Sequence, residues 1–355
     1  MLYIVIAILI FGFLIFIHEL GHFLTAKLFG VRVNEFAINM GPKLFGWKRG
    51  ETQYSFRLIP IGGYCSMEGE DGDSEDPRSF AAAAWWKRLI ILCAGAFMNL
   101  LTGFLIIVLL FGLAGFPMRK AGIVAIDERS ALYEQGLRAG DEFYSIGGKR
   151  LYQSQDFFLL DGRYNQVDTE VVILRDGKKV TYPHFKMEKR EFEGEDGAMV
   201  MRYGFSIGGD VEPTFASVNR FAAESCIDFA RSVFYGLEDL ISGRAKSEDV
   251  GGAVRIVDIM VESGKESPTV GDGILNALYI GALIAVNLAV MNMLPIPALD
   301  GGRVFFLLIG TVYTAITKKK INPKIEGWIN GVALILLLLL MGLLIIHDVR
   351  IIAAK

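Results

Sequence analysis

Four stretches of the chain are continuously apolar, and polar segments of very unequal length separate them. Each stretch is close to the roughly 20 residues that a helix needs to cross the hydrocarbon core of a membrane. The stretches are Leu2 to Ala26, Leu89 to Phe116, Ile274 to Leu294 and Trp328 to Ile346. The pattern predicts four transmembrane helices, with a long polar segment between the second and the third.

Basic residues are concentrated in the loop after the first stretch and in the loop before the fourth. They are Lys27, Arg32, Lys43, Lys48, Arg49, Arg57, Lys87, Arg88, Lys318, Lys319, Lys320 and Lys324. Four crossings put these loops on one side of the membrane, and basic loops favour the cytoplasm. We therefore expect a multi-pass protein of the inner (plasma) membrane whose termini and long middle segment lie outside the cytoplasm.

The composition narrows the class of protein. Of the 355 residues, 52% are hydrophobic and only 21% are charged, which is too apolar for an ordinary soluble enzyme. The net charge of −3, without a long basic tract, gives no support for a nucleic-acid partner. Three widely spaced cysteines predict neither a disulfide framework nor a cysteine metal site. The first apolar stretch lacks a basic flank and a cleavage pattern, so we expect it to be retained rather than removed as a secretion signal.

The long polar segment has the pattern of a small α+β domain. Ser130 to Gln135, followed by Gly136, is typical of a short capped helix. Asp176-Gly177 predicts a tight turn that joins two strands into a hairpin. The predicted strands are Gly122 to Ile126, Glu142 to Ile146, Val171 to Leu174 and Lys179 to Tyr182.

The stretch from Ser130 to Gly148 resembles a PDZ domain of the permuted bacterial type, although the proline that often follows the serine is absent. PDZ domains bind extended peptides against a strand edge, so the resemblance implies a domain that screens or positions a peptide; the alternative is an inert spacer. A charged linker (Glu188 to Asp196) follows it. An amphipathic helix comes next, and it could rest on the membrane or on its own domain; its apolar positions are Ile227, Ala230, Phe234, Leu237 and Ile241.

The predicted domains are therefore four. Residues 1–116 hold the first two transmembrane helices with a cytoplasmic β-containing loop, and 117–187 form the PDZ domain. Residues 188–272 hold the linker and the amphipathic helix, and 273–355 hold the last two transmembrane helices. The fold class is an α-helical multi-pass membrane protein with four transmembrane helices, the third one broken, and an inserted extracytoplasmic α+β PDZ domain.

In the first loop, Tyr54, Phe56 and Leu58 alternate with polar residues before Gly62-Gly63. Alternation followed by glycines is typical of a strand that ends in a turn. Close to the membrane, such a strand could offer its backbone edge to an unwound substrate, or it could belong to a small structural sheet.

Ionisable residues occur inside the first apolar stretch, where they are costly and ask for a functional reason. His18 and His22 are four residues apart, so on a helix they lie on nearly one face and can reach one metal ion. Glu19 is angled away from the line between the imidazoles and is placed to take a proton from a metal-bound water. The motif from His18 to His22 therefore predicts a zinc site and hydrolysis within the membrane.

A third ligand is expected, because zinc in hydrolytic sites typically takes three protein ligands and leaves one position for water. The segment from Asn292 to Gly302 interrupts an apolar helix with two prolines and two glycines. Irregular backbone at membrane depth is tolerated only where it is buried in protein or lines a watery cavity. Asp300 is the isolated aspartate of this segment and the candidate third ligand.

Together these motifs resemble the site-2 protease family of intramembrane zinc metalloproteases, in the branch that cleaves bacterial anti-sigma factors. The matching segments follow in order over nearly the whole chain and are His18 to His22, Gly95 to Asn99, the PDZ-like region and Asn292 to Gly301. The resemblance implies that His18, His22 and Asp300 bind Zn2+ and that Glu19 is the catalytic base.

For two asparagines the resemblance implies a substrate-binding role. Asn292 is expected near the metal, where its amide could hold an unwound substrate backbone or the developing oxyanion. For Asn99, hydrogen bonding between helices is an equally open alternative.

The expected function is zinc-dependent hydrolysis of peptide bonds within or near the transmembrane segments of single-span membrane proteins, such as anti-sigma factors or signal-peptide remnants. Cleavage is expected near the cytoplasmic face, because basic residues follow the histidine motif directly. The alternatives are a membrane metal-ion transporter and a non-catalytic PDZ scaffold. A compact cluster of three ligands beside a carboxylate favours chemistry over transport.

Overall fold

The computed structural model describes residues 1–70, 74–194, 197–244, 251–319 and 323–353. Lys320 and the end of the predicted linker, residues 195 and 196, lie outside the described residues. The elements are α1 (Leu2–Leu28), β1 (Val33–Arg49), β2 (Thr52–Met67), α2 (Trp85–Gly112), β3 (Arg119–Ile126), α3 (Ala131–Glu134), β4 (Glu142–Ile146), β5 (Lys149–Arg150), α4 (Ser154–Tyr164), β6 (Asp168–Arg175), β7 (Lys178–Lys186), β8 (Arg190–Glu193), β9 (Met199–Arg202), β10 (Phe205–Asp210), α5 (Phe215–Ile241), α6 (Ala253–Glu266), α7 (Val270–Asn292), α8 (Asp300–Thr317) and α9 (Pro323–Ala353).

Four of the described helices are long and apolar enough to cross a membrane, namely Leu2–Leu28, Trp85–Gly112, Val270–Asn292 and Gly327–Ala353. They coincide with the four apolar stretches, which confirms the prediction of a multi-pass membrane protein. The backbone leaves the helical path between α7 and α8, where the sequence predicts a break. Within this interruption Ala298 has a φ of 72°, a left-handed conformation that is uncommon for a residue with a Cβ atom.

The chain divides into two compact units, Met1–Ile106 with Phe229–Lys355, and Ile107–Asp228. In the first unit, α1 and α2 pack closely because Gly21 has no side chain: a Cβ atom there would lie 2.5 Å from the carbonyl oxygen of Ala94. One core of this unit joins α1, β1, β2, α2 and α8; its fully buried members include Ala26, Val33 and Ile91. A second core joins α1, α6 and α7 through residues that include Leu14, Met260 and Ala285.

β1 and β2 form a long antiparallel hairpin in which Arg49 lies opposite Thr52 and Val33 opposite Met67. The strand predicted through Tyr54, Phe56 and Leu58 is confirmed. Residues 35–38 of β1 are partnered both by residues 53–56 and by residues 63–66 of β2. The long hairpin therefore folds back on itself, and β2 bends between these two segments, where the sequence analysis predicts a glycine turn. The register shifts beside Gly63, and Gly62 has a φ of 84°, so these glycines accommodate an irregularity of the ladder.

The second unit is built on an antiparallel sheet with the strand order β10-β3-β4-β6-β7, and β5 pairs with β4. The predicted hairpin is confirmed, with Arg175 opposite Lys178. The predicted helix start is also confirmed, since the Ser130 hydroxyl oxygen accepts the Leu132 N–H at 3.1 Å. The buried carboxylate of Asp141 accepts hydrogen bonds from Arg175 at 2.7 Å, which ties the loop before β4 to β6.

The sheet of the second unit extends past residue 187, where the sequence analysis ends the PDZ domain. β10 pairs with β3, and the stretch 188–196, predicted as a linker, contains β8, which pairs with β9. The predicted amphipathic helix is α5, which begins earlier, at Phe215. The sequence analysis did not predict β1, β5, β8, β9, β10, α4 or α6.

Candidate metal centre

Three side chains with metal-binding atoms converge where the end of α1 meets the start of α8. The Nε2 atoms of His18 and His22 are 3.3 Å apart. Oδ2 of Asp300 lies 3.1 Å from Nε2 of His18 and 3.2 Å from Nε2 of His22. Among the residues that the structure describes, this is the only group of three or more His, Cys, Asp or Glu side chains that could hold a metal ion.

These distances fit a zinc ion. Ligand atoms at about 2.0–2.1 Å from a tetrahedral zinc ion are about 3.3 Å from one another. The three separations between the nitrogen and oxygen atoms, 3.1, 3.2 and 3.3 Å, all lie close to that value. A tetrahedral ion held by three protein atoms retains one open position, which a hydrolytic site requires.

The hydrogen bonds of His22 support a cation at this point. Nδ1 of His22 lies 2.8 Å from the carbonyl oxygen of Ile91, which can only accept, so Nδ1 carries the proton. In the neutral ring the lone pair of Nε2 then faces Oδ2 of Asp300, and that buried oxygen has no hydrogen-bond donor among the described residues. Two buried acceptors 3.2 Å apart need a positive charge between them.

One face of α2 supports both imidazoles. Ile91, Gly95 and Asn99 are spaced by four residues and so lie on the same face. A Cβ atom on Gly95 would overlap Nε2 of His22 and lie 2.6 Å from Cε1 of His18, so only glycine lets α2 approach this closely. Asn99 is 1% exposed, and its amide nitrogen lies 3.4 Å from Nδ1 of His18.

Two glycines compress the segment that carries Asp300. A Cβ atom on Gly301 would overlap the carbonyl oxygen of Leu294, and one on Gly302 would overlap that of Ile296. The backbone between α7 and α8 therefore folds tightly against the first turn of α8. As a result Asp300, the first residue of α8, faces the histidines of α1.

Glu19 lies beside the three candidate ligands and is contacted by β2. Its carboxylate accepts a hydrogen bond from the backbone N–H of Cys65. A Cβ atom on Gly63 would lie 3.3 Å from the Glu19 Cγ atom, so the backbone of β2 lies directly against this side chain. The structure thus brings an extended strand next to the carboxylate that the sequence predicts as the base.

The two predicted asparagines differ in position. Asn99 lies against His18, whereas Asn292 is the last residue of α7 and makes no hydrogen bond to the candidate ligands in the part of the chain that the structure describes. The sequence analysis missed the contributions of Ile91, Gly95 and Cys65. The four-residue spacing of positions 91, 95 and 99 indicates one face of a helix. The sequence does not indicate that this face contacts His18 and His22. Cys65 contributes a backbone atom, for which no sequence pattern exists.

Comparison with known proteins identifies the family. The family model described as peptidase family M50 matches residues 6–340. A protein of Clostridium perfringens named "Putative zinc metalloprotease" is 35% identical over 351 residues, which cover 98% of each chain. The "Regulator of sigma-W protease RasP" of Bacillus subtilis is 26% identical over 424 aligned positions, which cover 97% of each chain.

The match to the family spans nearly the whole chain, and both relatives are matched over nearly their full length. The separations among His18, His22 and Asp300 fit a zinc ion, and the Clostridium perfringens relative is named as a zinc metalloprotease. The chain belongs to peptidase family M50, the site-2 protease family, and is a zinc metalloprotease.

Proposed function

We propose that this zinc metalloprotease hydrolyses peptide bonds within or near the transmembrane segments of membrane proteins. The observation that carries the proposal is the position of the candidate ligands. Two lie on α1, a helix apolar and long enough to cross a membrane, and the third lies at the break between α7 and α8. A protease with its metal ligands on membrane helices acts on substrates that enter the membrane.

In this proposal His18, His22 and Asp300 hold zinc, which supplies a Lewis acid that polarises the substrate carbonyl and makes water acidic near neutral pH. Glu19 accepts the proton of the attacking water on its carboxylate and then donates it to the leaving amide nitrogen. The hydrogen bond from the Cys65 N–H holds that carboxylate in a fixed orientation.

Asn99 is proposed to orient His18 rather than to contact substrate. The amide nitrogen of Asn99 lies 3.4 Å from Nδ1 of His18, and its buried Oδ1 accepts no hydrogen bond from the described residues. With the amide turned over, Oδ1 accepts the proton on Nδ1 of His18, and the lone pair of Nε2 is free for zinc. Asn292 is proposed for the substrate backbone or the developing oxyanion.

A substrate helix must unwind before cleavage, because its carbonyl groups are held in its own hydrogen bonds. We place the unwound substrate segment beside β2, because the backbone of β2 at Gly63 and Cys65 lies against Glu19. An unwound segment that pairs with an open strand edge there would present its carbonyl groups next to the base.

The unit Ile107–Asp228 is proposed to contain the PDZ domain, outside the cytoplasm, and to screen substrates. Its antiparallel sheet and its helix capped by Ser130 support this assignment. β10 is the last strand in the sheet order, so no other strand of the described residues pairs with its outer edge, and a peptide could add there. In this proposal the PDZ domain assigned to residues 117–187 is completed by β10. Residues 1–116 carry the first two transmembrane helices and residues 273–355 carry the last two, with residues 188–272 between the PDZ domain and the third helix.

The substrates are proposed to be single-span membrane proteins such as anti-sigma factors, cleaved near the cytoplasmic face. The Bacillus subtilis relative is named as a regulator of sigma-W, which supports this class. The basic residues that follow the histidine motif support the location of the metal centre.

The proposal is tested with full-length protein that carries Glu19→Gln. The variant should retain near one zinc per chain, because Glu19 is not a proposed ligand. It should lose about 100-fold or more of its cleavage of a membrane-embedded substrate, because the proton acceptor is gone. Zinc content and substrate cleavage are measured on the same preparation.

The matched control is Glu75→Gln, which changes an exposed glutamate in the first loop and should cleave as the unaltered protein does. Unchanged cleavage by Glu19→Gln would reject Glu19 as the catalytic base. Absence of cleavage by both the unaltered protein and the variant would favour a scaffold. Zinc flux into proteoliposomes that contain either protein would instead favour a transporter.

A further inference from the structure

Asn330 is the only polar side chain between Trp328 and Ile346, in an otherwise apolar part of α9. A polar amide in a membrane span is costly unless it has a partner. That partner is the backbone N–H of Ala298, which donates to Oδ1 of Asn330 over 3.1 Å. The amide of α9 is thus bonded to the segment that precedes Asp300.

The residue that Asn330 holds has a strained conformation. Ala298 has a φ of 72°, and an L-residue with a Cβ atom keeps such a value only where its surroundings impose it. Two residues later Asp300 places Oδ2 at 3.1 Å from Nε2 of His18 and at 3.2 Å from Nε2 of His22. A relaxation of the turn at Ala298 would therefore move the carboxylate away from the imidazoles.

We propose that Asn330 is a positioning residue, which holds the N–H of Ala298 and so keeps the left-handed turn that sets Asp300 against the two histidines. The inference rests on the proposed function, because it takes Asp300 as a metal ligand. It gives α9 a role at the metal centre, exerted through the backbone of Ala298 and not through contact with the metal.

The expected consequence concerns zinc affinity. Without the acceptor, the N–H of Ala298 loses its partner and the turn relaxes in a fraction of the molecules. The apparent affinity for zinc falls by the fraction in which Asp300 is displaced. Glycine adopts a left-handed turn without strain, so a glycine at position 298 makes the hydrogen bond dispensable.

The test uses full-length protein in detergent and measures the zinc dissociation constant by competition with a chelator. Asn330→Leu has a side chain of similar size without an acceptor and should weaken zinc binding about tenfold. Ala298→Gly alone should bind within about twofold of the unaltered protein, and the double variant within about threefold. The matched control on α9 is Val332→Leu, at a half-exposed position, which should not change the affinity.

Two results overturn the inference: an unchanged dissociation constant in Asn330→Leu, or a loss that Ala298→Gly does not reverse. If Asn330→Leu does not fold, the double variant decides, since it must fold and bind zinc within about threefold of Ala298→Gly. Asp300→Asn is measured in parallel. Zinc binding that survives Asp300→Asn refutes the ligand assignment itself, whereas a loss there beside an unchanged Asn330→Leu refutes only the role of Asn330.

Discussion

At the scale of single residues, Gly95 determines how closely α2 approaches the metal centre. A side chain at this position would occupy the space of the His22 and His18 rings. The same face of α2 supplies the carbonyl oxygen of Ile91, to which the His22 ring is bonded. The absence of a side chain at position 95 is therefore a condition for the orientation of both imidazoles.

Gly95→Ala should displace the His22 ring from its hydrogen bond with Ile91, because the added methyl group and the ring cannot share one place. Overpacking of this kind typically lowers the free energy of unfolding by about 1–3 kcal/mol. Zinc affinity should fall at least about tenfold, in the range seen when a group that orients a ligand is removed. Zinc titration and thermal unfolding of the purified protein measure the two effects.

The control for this variant is Gly112→Ala on the same helix, where a Cβ atom would meet its nearest neighbour, Val218, at an ordinary 3.5 Å. It should leave zinc binding unchanged. If Gly95→Ala bound zinc as tightly as the unaltered chain, the close approach of α2 would have no part in orienting the ligands.

The sequence was sufficient to predict candidate ligands at this scale, because residue type and spacing carry that information. His18 and His22 stand four apart, and Asp300 is the lone aspartate in a broken helix. Which nitrogen of each ring faces the centre depends on atoms from a separate helix. That orientation requires the packing of α1 on α2, which no local pattern specifies.

At the scale of elements, the β1–β2 hairpin is held by a polar cluster around Glu35. Its carboxylate accepts hydrogen bonds from Ser55 at 2.5 Å, Tyr64 at 2.7 Å and Arg57 at 2.9 Å. Partial burial opposes the charged form, but these hydrogen bonds and the charge of Arg57 outweigh it and lower the pKa of Glu35. Burial and the neighbouring carboxylate together raise the pKa of Tyr64 to about 12.

The stability of this hairpin should therefore depend on pH. Since the pKa of Glu35 is lower in the folded than in the unfolded chain, its contribution is present above the ordinary glutamate pKa of about 4.3 and is lost as the pH falls through the folded value. Hydrogen exchange of residues 33–67, corrected for its intrinsic pH dependence, should show faster opening on acidification. Glu35→Gln should open faster at pH 7 and lose most of this pH dependence.

Glu51→Gln, which removes a carboxylate at the turn of the same hairpin, is a control that leaves the cluster intact. Its effect on the exchange of β2 near Tyr64 should be small. Equal pH dependence in Glu35→Gln and the unaltered protein would show that another group controls the opening of the hairpin.

The sequence analysis predicted one strand of the hairpin and missed the other for a physical reason. β1 contains Gly41, Pro42 and Gly46, which favour turns when they are considered alone. In the structure β1 does bend here, since Asn39 and Gly41 have φ values of 68° and 82°, but it stays paired with β2 on both sides of the bend. β2 bends in the same way near Gly62, whose φ is 84°. The sequence analysis therefore missed β1 because the pairing that holds the bent segments together is not visible in a local pattern.

At the scale of the whole molecule, hydropathy was sufficient to predict the number and order of the membrane helices. It could not predict which strands pair over long separations. β3 and β10 are joined in one sheet, with Phe205 opposite Ile126, although many residues lie between them. Such pairing depends on the closure of the unit and not on the sequence near either strand.

The proposed topology predicts opposite labelling of two single-cysteine positions by a membrane-impermeant maleimide. Lys178→Cys, at an exposed site of the second unit, should react in intact spheroplasts. Arg49→Cys, at the exposed tip of the hairpin, should react only after lysis. The native background should be low, since burial raises the pKa of the Cys65 thiol and raises that of Cys226 to about 11.

Unaltered protein, labelled in both conditions, corrects for the native cysteines, Cys93 included. Labelling of Arg49→Cys in intact spheroplasts with protection of Lys178→Cys would reverse the orientation in the membrane. Labelling of both cysteine variants before lysis would contradict the proposal that the membrane separates the hairpin from the second unit.

The two imidazoles of the metal centre differ in how easily a substitution can remove their hydrogen-bond partners. His22 is hydrogen-bonded to the backbone carbonyl oxygen of residue 91. Any amino acid at position 91 supplies this oxygen as long as the helix forms. His18 lies against the side chain of Asn99, which a single codon change can remove. A random mutational survey should thus recover inactive variants at position 99, and at position 91 should recover only those that harm the fold around it.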